Sequence, residues 1–307
     1  MPGISSFFCS AISRETSEQT FGTASLGDVW LLLEYPLAWE RKAVEDSALS
    51  STVKAFLGHV VKTTPRARVL LIKQDRLRTT GVTFYVVRSR EIEPFIVKFQ
   101  LSDYEDVTAI DVAAIAAGDE TGGGEVVSSP MFLVCTHGRR DKCCAKFGYP
   151  LFKSLRDSID EPVWQSSHVG GDRFAANLVC LPHGLFYAHV TETAAQEIVE
   201  EYRKGRIVLE TFRGRACYSH PAQAAEFFVR CETGITGVDD LSYVGTERIE
   251  EKSWRVRFDH AKSESVYEAD VKTRVSDFHN FITCDAIEEK RVQQFVLDEL
   301  RVDCTVA

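Results

Sequence analysis

MFLVCTHGRRDKCCA (residues 131–145) and VWQSSHVGGDRFAAN (residues 163–177) share one design: each opens on an apolar run of strand length and breaks into a polar loop. Met131 to Val134 carries Cys135 to a strand end. Cys144 falls where the helical stretch 145–155 begins. The second run, Val163 to Ser167, stops at His168-Val169-Gly170-Gly171-Asp172, where His168 and Asp172 bracket two glycines at a separation of four. Thiolate and imidazole are soft and borderline ligands, so Cys135, Cys144 and His168 point to a transition metal rather than to calcium or magnesium. The paired glycines are expected to let backbone approach a bulky inorganic group.

Other chemistries fit these residues less well. There is no Cys-x-x-Cys pair, which a thioredoxin-type disulfide exchanger needs, and the neighbours Cys143 and Cys144 are poor substitutes. A zinc site could use Cys135, Cys144, His168 and Asp172, although eight residues between the cysteines exceed the usual finger spacing. Non-redox zinc binding, or an interaction module without a cluster, is the alternative function. Gly122-Gly123-Gly124 lacks a following Gly-Lys-Ser or Gly-Lys-Thr and reads as linker, not phosphate loop.

Composition narrows the classes further. The chain has 307 residues, 44% hydrophobic and 26% charged, enough for a sizeable core. A formal charge of −9 argues against general nucleic-acid binding, with a local basic patch at Arg139, Arg140, Lys142 and Lys146. Nine cysteines spread from Cys9 to Cys304 do not form a secreted disulfide framework. With neither a signal-peptide pattern nor a run of ~20 apolar residues, the expectation is a cytoplasmic protein that does not enter a membrane. Cys180, Cys217, Cys231, Cys284 and Cys304 share no metal-binding spacing and are read as buried or incidental thiols.

Periodicity suggests a duplication. After a polar tail to about Thr20, the first half reads strand 29–34, helix 51–61, strand 68–73, strands 82–89 and 93–99, and helix 111–117. The linker 118–129 follows. The second half repeats the order with strand 131–134, helix 145–157, strand 163–167, strands 179–182 and 185–190, and helix 193–205. A helix at 222–230 and strands at 254–258 and 266–275 form a smaller C-terminal module.

The residues Cys135-Thr136-His137-Gly138, Arg140-Asp141, Cys143-Cys144-Ala145, His168-Val169-Gly170-Gly171 and Arg173-Phe174-Ala175-Ala176-Asn177 resemble the sucrase/ferredoxin-like family. Weaker matches extend the resemblance over roughly residues 20 to 285. It implies a thioredoxin-like 2Fe-2S ferredoxin domain, placed at 128–212; together with the periodicity, the expected α/β architecture adds a tail at 1–24, a degenerate thioredoxin-like domain at 25–121 and a small α+β module at 213–307. The implied cofactor is a 2Fe-2S cluster on two cysteines and two histidines, in the pattern His-x-Gly-Gly-His. The implied role is one-electron transfer to a redox partner protein rather than turnover of a substrate. His137, Arg140, Gly170, Gly171 and Arg173 would surround the cluster, with His137 and Arg140 placed to tune it.

Asp172 stands where the family's second histidine is expected. Three readings stay open: Asp172 is the fourth ligand; the ligand comes from among His137, Cys143, Cys180, His183 and His189; or the cluster is lost and Asp172 caps a helix beginning near Arg173. Cys143 is disfavoured as a partner of Cys144, because neighbours on a helix point about 100° apart.

Overall fold

The computed structural model describes residues 7–75, 81–263 and 265–304. Its first unit contains α1 (Cys9–Glu15), β1 (Val29–Glu34), α2 (Ser51–Thr63), β2 (Ala67–Lys73), β3 (Val82–Arg88), β4 (Phe95–Leu101), α3 (Val112–Ala117) and β5 (Glu125–Val127). The second holds β6 (Met131–Cys135), α4 (Lys142–Ser158), β7 (Val163–Ser166), a 3-10 turn at Asp172–Phe174, β8 (Leu178–Leu181), β9 (Leu185–Tyr187), α5 (Glu192–Arg203) and β10 (Phe212–Arg215). Then come α6 (His220–Thr233), β11 (Leu241–Glu250), β12 (Ser253–His260), β13 (Ser265–Val275) and β14 (Gln293–Cys304).

The helices start where side chains satisfy free backbone donors. Ser50 accepts from the Val53 N–H at α2, Asp141 from Cys143 at α4, and Thr191 from Ala194 at α5. The inner strands of the large sheet are apolar runs buried on both faces, as β1 shows with all six residues buried.

Strand order in the large sheet is β10-β9-β8-β6-β7-β2-β1-β3-β4-β5. Each half carries one parallel pair, β1 with β2 and β6 with β7. Each then adds two antiparallel strands, β3 and β4 or β8 and β9. That is the thioredoxin-like order, present twice. The halves join edge to edge where β2 runs antiparallel to β7, with Ile72 opposite Ser166 and Lys73 opposite Gln165.

The sheet curls at this seam. Trp30 on β1 and Phe186 on β9 have ring centroids 5.9 Å apart, although five strand positions separate them. At about 4.8 Å per strand a flat sheet would hold them roughly 24 Å apart. One face of each half is covered by its own helices, α2 and α3 or α4 and α5, and the other faces bury each other. The shared core contains Trp30, Leu32, Tyr85 and Val87 from the first half with Leu133, Cys135, Cys144, Trp164 and Phe186 from the second.

Several segments differ from the periodicity reading. The polar tail contains α1, whose Cys9 and Ser10 are buried. The linker contributes β5, paired with β4. β10 hides as Phe-Arg-Gly-Arg, four residues all buried. β11 and β14 complete a four-stranded antiparallel sheet with β12 and β13. Their charges obscured the alternation, because on this sheet charged residues pair across strands: Arg255 lies opposite Asp270 and Glu268 opposite Arg301.

Candidate metal centre

Cys135 ends β6 and is buried beneath the first turn of α4. The close approach depends on Gly148 of α4, where an added Cβ would lie 2.0 Å from the Cys135 carbonyl oxygen. Asp141 starts the helix by accepting from the Cys143 N–H at 2.8 Å. From that turn the adjacent cysteines diverge. Cys144 joins Cys135 in the shared core, while Cys143 joins Cys9 in a separate cluster.

His168 follows β7. Its backbone N–H donates to His137 Nδ1 at 3.2 Å, and His137 Nε2 hydrogen-bonds the Glu40 carbonyl at 2.8 Å. The ligand atoms of Cys135, Cys144 and His168 all lie within 4.8 Å of one another. Asp172 Oδ1 stands 3.1 Å from His168 Nδ1 and accepts from the Cys144 thiol at 3.6 Å. Although close to Asp172, His168 Nδ1 is buried without an aligned hydrogen bond. Two buried thiols, an imidazole and a buried carboxylate suit a bound transition metal or iron-sulfur cluster.

The neighbouring Cys144 thiol, against the opposing effect of burial, holds Cys135 well below the usual thiol range; His168 adds to this. Cys144 is pushed the other way, first by Cys135 and then by burial. Burial disfavours the His168 cation, yet Asp172 and Cys135 outweigh it and raise the imidazole to about 9. Burial would raise Asp172, but His168, Cys144 and Arg140 bring it below the ordinary carboxylate value.

Four of the five alternatives to Asp172 occupy other places, while His137 lies beside His168. Cys143 faces Cys9 and Cys284. Cys180 is wholly buried in the helix-covered core of the second half. His183 Nδ1 bonds the Tyr202 hydroxyl at 2.6 Å, and His189 Nδ1 accepts from Arg14 Nε at 3.2 Å. The helix-cap reading also lacks a contact, since Gly171 is the N-cap of the 3-10 turn and no side chain caps it.

Three of the expected cluster neighbours make protein contacts in the turn after His168. Gly170 and Gly171 have φ of +101° and +83°, but an added Cβ would meet Ser25 Oγ at Gly170 and the Arg213 guanidinium at Gly171. Their positive φ serves the turn, and the missing Cβ leaves room for Ser25 and Arg213. Arg173 turns away, with Nε 2.7 Å from Glu18 Oε1. His137 orients the His168 backbone with its ring, while its own N–H bonds to Cys135 and favours the thiolate. Arg140 makes no ion pair with Asp141 among the described residues; it lines a cleft of about 730 Å³ with Arg41, Lys62, Arg68, His137 and His168. In the basic patch, Arg139 is paired with Glu40 and the Lys142 ammonium lies 5.2 Å from the Phe8 ring centroid.

Arg213 is the supporting residue that pattern reading missed. It donates to the Gly170 carbonyl at 3.0 Å and to Asn177 Oδ1 at 2.7 Å, while Asn177 donates to the Gly171 carbonyl at 2.9 Å. Burial lowers its pKa to about 9, with Arg173 and Arg68 adding to the effect. The available signal was a charged residue beside glycine inside an otherwise strand-like Phe-Arg-Gly-Arg.

The family described as sucrase/ferredoxin-like matches residues 20–214. No curated protein matches the chain. Among solved structures, two cysteine-to-serine variants of the thioredoxin-like 2Fe-2S ferredoxin from Aquifex aeolicus are similar at 17% and 18% identity. Each similarity covers 27% of this chain and 97% of that one, with a TM-score of 0.25.

Proposed function

Since this chain belongs to the sucrase/ferredoxin-like family, we propose that it is a one-electron carrier with a 2Fe-2S cluster held by Cys135, Cys144, His168 and Asp172. The observation that carries the reading is the convergence of Cys135, Cys144 and His168 within 4.8 Å, with Asp172 beside His168 and Cys144. A bound cluster would supply one reversible electron. The two cysteines anchor it as thiolates, and the His137 ring orients the backbone of His168. Arg213 and Asn177 hold the glycine turn that connects His168 to Asp172. Asp172 in place of a neutral imidazole adds one negative charge and lowers the midpoint.

His168 borders the cleft lined by Arg41, Lys62, Arg68 and Arg140, which gives an acidic redox partner protein a docking surface. No described helix is long and apolar enough to cross a membrane, and the eight cysteines with described side chains are free. The free thiols favour a reducing, cytoplasmic setting.

The compactness of the ligand triad also suits a single zinc ion, which is the second reading. Visible absorption and electron paramagnetic resonance on anaerobically purified protein separate the two. A coloured protein that gains a rhombic or axial S = 1/2 signal on one-electron reduction supports the carrier. A colourless protein with zinc at this site sinks it.

A further inference from the structure

We infer that the chain carries a second, independent metal site, a tetrahedral zinc centre on Cys9, Cys143 and Cys284 with an Asp141 carboxylate oxygen as fourth ligand. The three sulfurs come from distant parts of the chain and form a nearly equilateral triangle. Cys9 to Cys143 is 3.6 Å, Cys143 to Cys284 is 3.3 Å and Cys284 to Cys9 is 3.5 Å. Asp141 Oδ2 lies 3.8 Å from Cys9 Sγ. All four groups offer ligand atoms within 4.8 Å of one another.

These spacings approach the edge of a zinc-thiolate tetrahedron, about 3.8 Å for Zn–S bonds of about 2.3 Å. A disulfide pairs two sulfurs, whereas here three are mutually equivalent. Backbone donors already reach two of the sulfurs: the Ser10 N–H donates to Cys143 Sγ and the Cys9 N–H to Cys284 Sγ, each at 3.4 Å. Asp141 organises the set, accepting from the Cys143 N–H at 2.8 Å and the Cys284 N–H at 2.6 Å. Cys9 and Cys143 are fully buried, Asp141 is 3% exposed and Cys284 is half-buried, so three of the four donors are shielded from competing water.

Metal binding here would release three thiol protons to solvent and involve no electron transfer. Its structural effect is a clamp. Cys9 belongs to α1, Cys284 to the segment between β13 and β14, and Cys143 to the first turn of α4. One ion would tie both chain ends to the helix whose next residue, Cys144, belongs to the first site. The inference stands whether the first site holds iron or not, because Cys143 and Cys144 face different clusters.

The test is metal analysis of the full-length protein from zinc- and iron-replete medium, with X-ray absorption at the zinc edge. The wild type should contain one zinc per chain, with three sulfur neighbours at about 2.3 Å and one oxygen. The Cys9→Ser/Cys284→Ser variant should lose that zinc and keep its iron. Cys135→Ser should lose iron and keep zinc. Absence of zinc from the wild type, a disulfide among the three cysteines, or a zinc shell of two sulfurs with imidazole nitrogen would overturn the assignment. The wild-type spectrum decides the matter even if the double variant does not fold.

Discussion

Asp172 is where this chain departs from the His-x-Gly-Gly-His pattern, and its environment makes the departure measurable. On the proposed 2Fe-2S site, Asp172→His should retain the cluster and raise its midpoint, since it removes one negative charge and supplies the ligand type that raises such potentials. Asp172→Ala should give a labile or incomplete cluster; spectroelectrochemistry and iron release under a chelator read the two effects. If Asp172→Ala keeps the wild-type midpoint and lifetime, Asp172 is not a ligand. The two cysteines and the histidine were legible because they sit in short runs with recognisable strand and turn signals. Cys9 and Cys284 were not, because their meeting with Cys143 depends on where α1 and the loop after β13 pack. Spacing along a chain reports local geometry, and these sulfurs are 275 residues apart.

Helix α4 was readable from its apolar spacing, but the role of Gly148 required seeing the helix seated on β6. Replacing an interior helical glycine by alanine normally gains about 0.5–1 kcal/mol. At Gly148 the new Cβ would meet backbone, 2.0 Å from the Cys135 oxygen, and overpacking typically costs about 1–3 kcal/mol. The clash should win, so Gly148→Ala should lower stability and, on the proposed cluster reading, reduce bound iron by separating Cys144 from Cys135. Gly58 of α2 is the control: an added Cβ has nothing within 4 Å, and Gly58→Ala should stabilise by up to about 1 kcal/mol. Denaturant melts with iron assays check both, and equal effects at the two positions would refute the packing argument. The turn after His168 teaches the same lesson, since its glycines were visible but their contacts with Ser25 and Arg213 were not.

At the scale of the molecule, acid should loosen the fold before carboxylate protonation dominates. Burial, reinforced by the Arg215 charge, lowers His183 to about 4, against an ordinary value of 6.5; Asp239 opposes the shift only partly. A histidine depressed in the native state contributes stability above pH 6.5 and loses it as pH falls toward 4. At about 1.4 kcal/mol per pKa unit, this group accounts for a loss on the order of 2 kcal/mol after allowance for partial exposure. His183→Gln should flatten stability between pH 6.5 and 4 by about one proton's worth of slope, as measured by denaturant titrations across that range. An unchanged slope would remove His183 from the account.

The largest-scale expectation follows from the curl of the sheet. Sequence periodicity showed two similar halves but gave no sign that their uncovered faces bury each other, because strands hidden on both faces read as continuous apolar runs. Tyr85 of the first half meets Trp164 of the second edge to face, with ring centroids 5.9 Å apart. Both belong to the shared core, and Trp164 is 1% exposed. Truncating a buried tryptophan costs about 3–5 kcal/mol, comparable to a large share of a domain's net stability. Trp164→Ala should therefore lower the unfolding midpoint of both halves together, although the residue lies in only one. Hydrogen exchange followed by mass spectrometry reads this directly: protection in β1 and β3 should fall along with that in β6 and β8. If β1 and β3 keep wild-type protection while β6 and β8 lose theirs, the halves fold independently, and the face-to-face core does not unite them.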